Sequence, residues 1–303
     1  MPDLNQALKR GYLIEGYRIE KVIGGGGFSF VYLAYRIKTQ SKVVVKEYFP
    51  HELVVRIPGG RIRPKSEVAR NHFQLGMKRF FSEGMALAKL KHPNIINVSN
   101  FFRANDTVFM VMDFEEGRDL RYFIKKSRGK LSERFMLAVF PPVMQGLKML
   151  HDNRFLHLDI KPANILLRSS GDPLLLDFGA VQQVDPGSIY SGVQTLTHGY
   201  APPEQYSESE MGPWCDIYSL GMTMRICITG KSPPSSPERL EKETLHPLVR
   251  SLSRKYSRCL LEAIDWATQL NHERRPRSVD EMLAAMTDQN RLTAANTAEG
   301  WFR

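Results

Sequence analysis

Cysteine is scarce in this chain: Cys215, Cys227 and Cys259 are three among 303 residues. None stands at close spacing with histidine, which excludes a zinc centre of the usual kind and a dense disulfide framework, and fits a reducing compartment. No apolar run is long enough to cross a bilayer, and the N-terminus lacks the charged-then-apolar pattern of a secretory leader. Internal repeats and low-complexity tracts are also missing, which removes solenoids and disordered adaptors. A cytoplasmic location is expected. The polar tail from Thr287 onward reads as a linker, so the chain could be one part of a longer, membrane-anchored protein.

What is present suits a globular chain: 42% hydrophobic and 24% charged residues, with a net charge of +10, can bury a large core. The positive charge is uneven. From Arg36 to Arg79 eleven Lys and Arg face three Asp and Glu, a local +8. Within that stretch Pro58-Gly59-Gly60 separates two apolar-basic runs, which predicts a hairpin. Such a surface would attract an acidic regulatory protein, an anionic membrane or nucleic acid through its long-range field. A solvated basic face is the plainer reading and is preferred, because charge alone rarely identifies a partner. No aromatic-basic interleaving accompanies it, which disfavours DNA and RNA.

The residues that carry chemistry lie further on, in His157-Leu158-Asp159-Ile160-Lys161-Pro162-Ala163-Asn164 followed by Asp177-Phe178-Gly179. Their order and spacing are those that phosphoryl transfer from ATP requires. Asp159 would accept or orient the proton of an attacking hydroxyl, and Lys161 would neutralise charge growing on the transferred group. Asn164 and Asp177 supply hard oxygens for Mg²⁺, with Mn²⁺ the alternative. Either piece alone could be incidental; their ordered pairing argues against coincidence.

These motifs resemble the eukaryotic-type protein kinase family. The resemblance covers roughly residues 17 to 287 and implies an α+β, bilobal fold: a small β-rich N-lobe with one main helix, and a larger, mostly α-helical C-lobe. By it, Lys46 at the end of Val43-Val44-Val45 is the α/β-phosphate lysine, and Glu83, in a segment of helical apolar spacing, is its partner. A surface salt bridge is the plainer alternative for that glutamate. Gly24-Gly25-Gly26-Gly27-Phe28-Ser29-Phe30-Val31 resembles the glycine-rich loop, with Ser29 in place of its third glycine. The implied nucleotide-binding set is Gly24, Gly26, Val31, Val44, Lys46, Met112 as gatekeeper, Asp113 and Glu115 in the hinge, Asp119 at the ribose, Asn164, Leu166 and Asp177. Met112 as plain core and Asp119 as a helix cap are compatible with those roles. The implied division is an extension over 1–16, an N-lobe over 17–112 with a basic insert at about 47–79, a hinge over 113–119, a C-lobe over 120–287 and a tail over 288–303.

Gly199-Tyr200-Ala201-Pro202-Pro203-Glu204 resembles the segment that closes the activation loop, and the resemblance implies a buried Glu204–Arg275 pair and an Asp216 that braces the catalytic loop. These three separate protein kinases from small-molecule phosphotransferases. Lys161 and Thr197 point to serine/threonine specificity on protein substrates. Leu158 replaces the arginine that grips activation-loop phosphate in many family members, so phosphorylation at Ser188, Tyr190, Ser191, Thr195 or Thr197 is expected not to be obligatory. The stretches Lys46-Glu47-Tyr48-Phe49-Pro50, Pro202-Pro203-Glu204-Gln205-Tyr206 and Gly212-Pro213-Trp214-Cys215-Asp216 look like bacterial serine/threonine kinases, a group whose members commonly act with a paired metal-dependent phosphatase and in some cases through phosphothreonine-binding partners. A catalytically silent scaffold is the rival, motivated by Ser29, Leu158 and Val44; the intact Lys46, Glu83, Asp159, Lys161, Asn164 and Asp177 oppose it.

Overall fold

The computed structural model of the chain describes residues 3–177, 181–183, 196–207 and 209–287, and the side chains of Glu83 and Ala86 lie outside the described set. The chain divides into two compact units. One runs to Lys91 and includes Ile96–Glu115; the other comprises His92–Ile95 and the chain from Glu116 onward.

The first unit is built on strands β1 (Leu13–Ile14), β2 (Tyr17–Gly26), β3 (Ser29–Arg36) and β4 (Lys42–Tyr48), then a small hairpin of β5 (Val54–Arg56) and β6 (Ile62–Pro64), helix α1 (Glu67–Leu87), and strands β7 (Val98–Ala104) and β8 (Thr107–Asp113). All but the hairpin form one antiparallel sheet in the order β1-β2-β3-β4-β8-β7. The β-branched run Val43–Val45 favours a strand, and β8, buried from Thr107 to Met112, lies between β4 and β7. Helix α1 packs on β7 and β8. Two glycines permit its approach: a Cβ at Gly76 would overlap the Tyr48 hydroxyl, and one at Gly84 the Phe101 ring.

The basic stretch 47–79 thus divides among the end of β4, the predicted hairpin and the first half of α1. Gly59 and Gly60, at φ of 85° and 87°, make the hairpin turn, where a side chain would be strained. The N-terminal extension is docked on this unit. The Leu8 amide donates to the Tyr32 hydroxyl at 3.1 Å, and the Arg56 amide donates to Gln6 Oε1 at 2.7 Å.

The second unit contains β9 (Gly117–Asp119), α2 (Leu120–Ser127), α3 (Glu133–Asp152), β10 (Phe155–Leu156), β11 (Ile165–Arg168), β12 (Pro173–Leu175), β13 (Gln182–Gln183), α4 (Pro213–Thr229), α5 (Ser236–Glu241), α6 (Leu248–Leu252), α7 (Arg258–Ala267) and α8 (Val279–Thr287). Helix α3 buries Met136, Val139, Phe140, Val143, Met144, Leu147 and Leu150, one apolar stripe at helical spacing. Ser132 caps it and Asp119 caps α2, each accepting a backbone N–H, as N-cap residues do. All three cysteines are buried free thiols. Among the described residues no helix is long and apolar enough to cross a membrane.

Candidate functional site

Strand register gathers the sequence-predicted residues of the first unit. Gly24 lies opposite Val31, and Val31 opposite Lys46. Val44, two residues before Lys46, lies opposite Met112 on β8. Facing residues of an antiparallel pair, and positions two apart, share a sheet face, so Val31, Val44, Lys46 and Met112 form one surface. Lys46 is 4% exposed. Glu83 lies on α1, but its side chain is outside the described residues. Asp113 ends β8; Asn97 Nδ2 donates to its carboxylate at 2.7 Å, and Glu115 is the last residue of this unit.

The glycine-rich segment is a tight hairpin in which Gly26 faces Ser29 across Gly27-Phe28. Gly25, absent from the predicted set, is the position that excludes a side chain, since a Cβ there would sit 2.9 Å from the Ser29 carbonyl. A Cβ would be tolerated at Gly24 and Gly26 on steric grounds, so their use is the approach they leave open to a ligand. The tip is held from behind. The Phe49 amide donates to the Phe28 carbonyl at 2.8 Å, and the His51 amide to the Gly27 carbonyl at 2.9 Å.

In the second unit the sheet β9-β11-β12 collects the other nucleotide candidates. Asp119 faces Leu166 across β9 and β11; Asn164 directly precedes β11, and Asp177 follows β12 by two residues. The loop before β11 converges on one carboxylate. Asp159 Oδ1 accepts from the Thr197 hydroxyl at 2.6 Å and from Lys161 Nζ at 2.8 Å. Its Oδ2 accepts from Lys161 at 2.7 Å and from Asn164 Nδ2 at 3.0 Å. Lys161 also donates to Thr197 Oγ1 at 3.0 Å. With its nitrogen committed to the side chain and backbone of Asp159, Asn164 keeps its amide oxygen as a hard donor. With the Asp177 carboxylate, that donor set fits Mg²⁺ shared with phosphates. Asp177 has φ of 62°, a backbone state uncommon for a non-glycine residue. Phe178 and Gly179 lie outside the described residues, as do Ser188, Tyr190, Ser191 and Thr195.

Two histidines whose roles the sequence did not disclose hold this loop. His157 Nδ1 accepts from the Asp159 amide at 3.3 Å, which leaves Nε2 as the donor to the Leu176 carbonyl at 3.0 Å. The Leu176 amide in turn donates to the Asn164 carbonyl at 2.8 Å, so the segment leading into Asp177 is tied to Asn164 through backbone. Beneath, Asp216 accepts from the amides of His157 at 2.8 Å and Leu158 at 2.7 Å and pairs with His151 Nε2 at 2.9 Å. Burial pushes the Asp216 carboxyl up, but the hydrogen bonds from His151 and from the His157 amide outweigh it and hold it below its ordinary range.

Leu158, at φ of 59° and 3% exposed, packs with Leu156, Met211 and Cys215, with Trp214 against them. Gln205 Nε2 donates to its carbonyl at 3.1 Å. Glu204 and Arg275 form a bidentate pair at 2.6 and 3.1 Å, with side-chain exposures of 3% and 0%. Arg275 further donates to the carbonyls of Gln269, Leu270 and Trp214.

Residues 17–302 match the family described as protein kinase domain. The chain is 26% identical, over 88% of its length, to the probable serine/threonine-protein kinase PknB of Lactococcus lactis, of which it covers 41%. It is 30% identical, over 72% of its length, to the serine/threonine-protein kinase PrkC of Bacillus subtilis, of which it covers 31%. It therefore spans less than half the length of these curated relatives. The solved structure of the apo form of PpkA-294 is 32% identical and superposes with a TM-score of 0.79, covering 93% of this chain and 99% of that one. With its sheet-built and mainly helical units, the chain has the α+β kinase fold and belongs to the eukaryotic-type protein kinase family, together with serine/threonine kinases of bacteria.

Proposed function

We propose that the chain is a serine/threonine protein kinase of bacterial signalling that moves the γ-phosphoryl group of ATP to Ser or Thr hydroxyls of proteins, itself included. The observation that carries this reading is the Asp159 carboxylate, which collects Lys161, Thr197 and Asn164 around one potential proton acceptor. Four hydrogen bonds from these three groups occupy both oxygens, about the capacity of a carboxylate. An acceptor hydroxyl must therefore displace one of them, and Lys161 is the group with a second employment, on the phosphoryl oxygens. Thr197 keeps Asp159 in place while Lys161 moves.

Lys46, held by Glu83, would bind the α- and β-phosphates, and the amides of the glycine-rich hairpin would line them. The backbone of Asp113 and Glu115 would meet adenine, Val31, Val44, Met112 and Leu166 its faces, and Asp119 the ribose. Asn164 and Asp177 would hold Mg²⁺, or Mn²⁺ in its stead; when bound, the metal neutralises phosphate charge. Leu158, seated in an apolar cluster, offers activation-loop phosphate no guanidinium. Activity accordingly does not require phosphate between Asp177 and Glu204. The site of action is the cytoplasm, and a paired phosphatase would reverse the modification. A solvated basic face stays the preferred reading of the 47–79 stretch; an acidic regulatory partner, if one binds there, would meet exposed Arg63, Lys78 and Arg79.

Three peptides differing only in Ser, Thr or Tyr at the acceptor test the assignment. Transfer from ATP to Ser and Thr peptides, with Tyr at background, is expected. Equal transfer to Tyr would overturn the specificity.

A further inference from the structure

The chain's positive charge has a second concentration. Arg118, Arg121, Lys125, Lys126, Arg128 and Lys130 all stand exposed on and around α2. Segment 116–130 carries +4; with the +8 of 36–79 this exceeds the chain's +10, so the remainder is slightly acidic. The two concentrations differ in how far their charge is paired. In the first, Lys46 is buried, Arg56 sits on buried Glu47, Arg61 pairs with Asp106 and Arg70 with Glu67. In the second, Arg121 pairs with Asp119 at 2.6 Å, whereas among the described residues no carboxylate stands within ion-pair distance of the other five.

This surface is held rigidly, and one end of it rests on the catalytic loop. Asp119 caps α2, β9 pairs with β11, and α2 packs against the short turn Pro162–Asn164. At the other end Arg128 and Gly129 turn with φ of 55° and 67°. Gly129 lies so close to Gly230 that a Cβ would overlap it, which brings exposed Lys231 to the same edge. The apolar side of α2 is directed inward, with Leu120 buried and Phe123 against Phe135. Tyr122, 47% exposed, is the aromatic ring on the outer face, with Arg118 at 5.5 Å and Lys126 at 6.0 Å from its centroid. Exposed cations without an exposed aliphatic stripe suit a polar, anionic chain better than a bilayer, which needs apolar side chains to insert.

We infer that the surface around α2 docks acidic, Asp- and Glu-rich stretches of the protein acceptor. That the partner is an acceptor rests on the kinase reading above; the binding chemistry does not.

The test uses the full chain and the variant Lys125→Gln/Lys126→Gln/Lys130→Gln, which removes three charges and keeps good helix formers. Two fluorescent peptides share one Ser/Thr core; one carries a flanking run of Glu, the other Gln. The wild type is expected to bind the Glu peptide about tenfold tighter at low salt, the sum of a few exposed charge pairs. That preference should fade in high salt and be lost in the variant, with kcat on the Gln peptide unchanged. Equal binding of the two peptides by wild type, or an undiminished preference in the variant, would overturn the inference. So would tighter binding of a labelled oligonucleotide or of phosphatidylserine vesicles, lost in the same variant. A Glu preference that disappears in the variant, without transfer to either peptide, would leave the docking surface standing and remove the kinase reading.

Discussion

The Arg56 guanidinium meets the Glu47 carboxylate at 2.6 Å, with side-chain exposures of 9% and 0%, one residue beyond Lys46. Tyr32 donates to the same oxygen at 2.7 Å, and Arg56 also donates to the carbonyls of Gln6 and Gly60. The hairpin is thereby joined to the strand that carries Lys46.

Arg56→Met leaves that carboxylate buried without its cation and is expected to cost about 3–5 kcal/mol, with much of the loss recovered by adding Glu47→Met. Burial already raises the Glu47 carboxyl above 4.5, and Arg56 opposes the rise. In Arg56→Met the folded carboxyl is higher still, so the folded state holds a proton that the unfolded state has released, and stability falls as pH rises above 4.5. Urea melts should therefore show a small gap between wild type and variant near pH 4 and a larger one near pH 8. A gap independent of pH would contradict the pairing.

How much of this was legible beforehand follows from the reach of each signal. The hairpin at Pro58-Gly59-Gly60, the buried strands around Val44 and Met112, and the Asp216 and Glu204 contacts were open to sequence because turn residues, β-branched runs and family motifs are local. Arg56 was not. In sequence it is one more cation of a basic stretch, and a partner such as Glu47 appears only when strand and hairpin meet. Deleting 54–66 would consequently unseat Glu47 as well as remove surface charge, so the basic surface is better probed at Arg63, Lys78 and Arg79. The roles of His151 and His157 and the steric demand at Gly25 depend on hydrogen-bond partners and backbone approach that residue types do not disclose. The basic face of α2 was present in the sequence, masked by the larger count at 36–79.

Asp216→Asn should loosen the catalytic loop. The lost charge-assisted hydrogen bonds correspond to about 3 kcal/mol, with a fall in kcat of tenfold or more, expected on the order of what a misplaced catalytic group costs. Because the Asp216 carboxyl is held below 3.8, its stabilisation is complete above that value and is lost as pH falls through the folded value. The stability gap to Asp216→Asn should be flat from neutral pH down to about pH 5 and narrow below 3.8. Chemical denaturation across that range reads it directly.

Glu204→Ala strands Arg275 in the interior, where its remaining carbonyl partners do not neutralise it. A loss of about 3–5 kcal/mol is expected, visible as a lowered urea midpoint. A loss below 1 kcal/mol would mean that water reaches the guanidinium.

Leu158→Arg would place a guanidinium among Leu156, Met211, Cys215 and Trp214. It should destabilise the protein by about 3 kcal/mol or more without making activity depend on phosphate. Ser188→Ala, Ser191→Ala and Thr195→Ala in the wild-type background should leave basal transfer within about twofold, because Leu158 offers their phosphates no guanidinium, as measured by initial rates.

The most direct measurement is incubation with γ-labelled ATP and Mg²⁺, with and without a generic basic protein acceptor, of wild type beside Asp159→Asn, followed by mapping of the labelled residues. Label on Ser or Thr that vanishes in Asp159→Asn while nucleotide binding persists is the expected result. Equal label in the two proteins would contradict the role of Asp159, and no label in wild type despite ATP binding would contradict the kinase assignment itself.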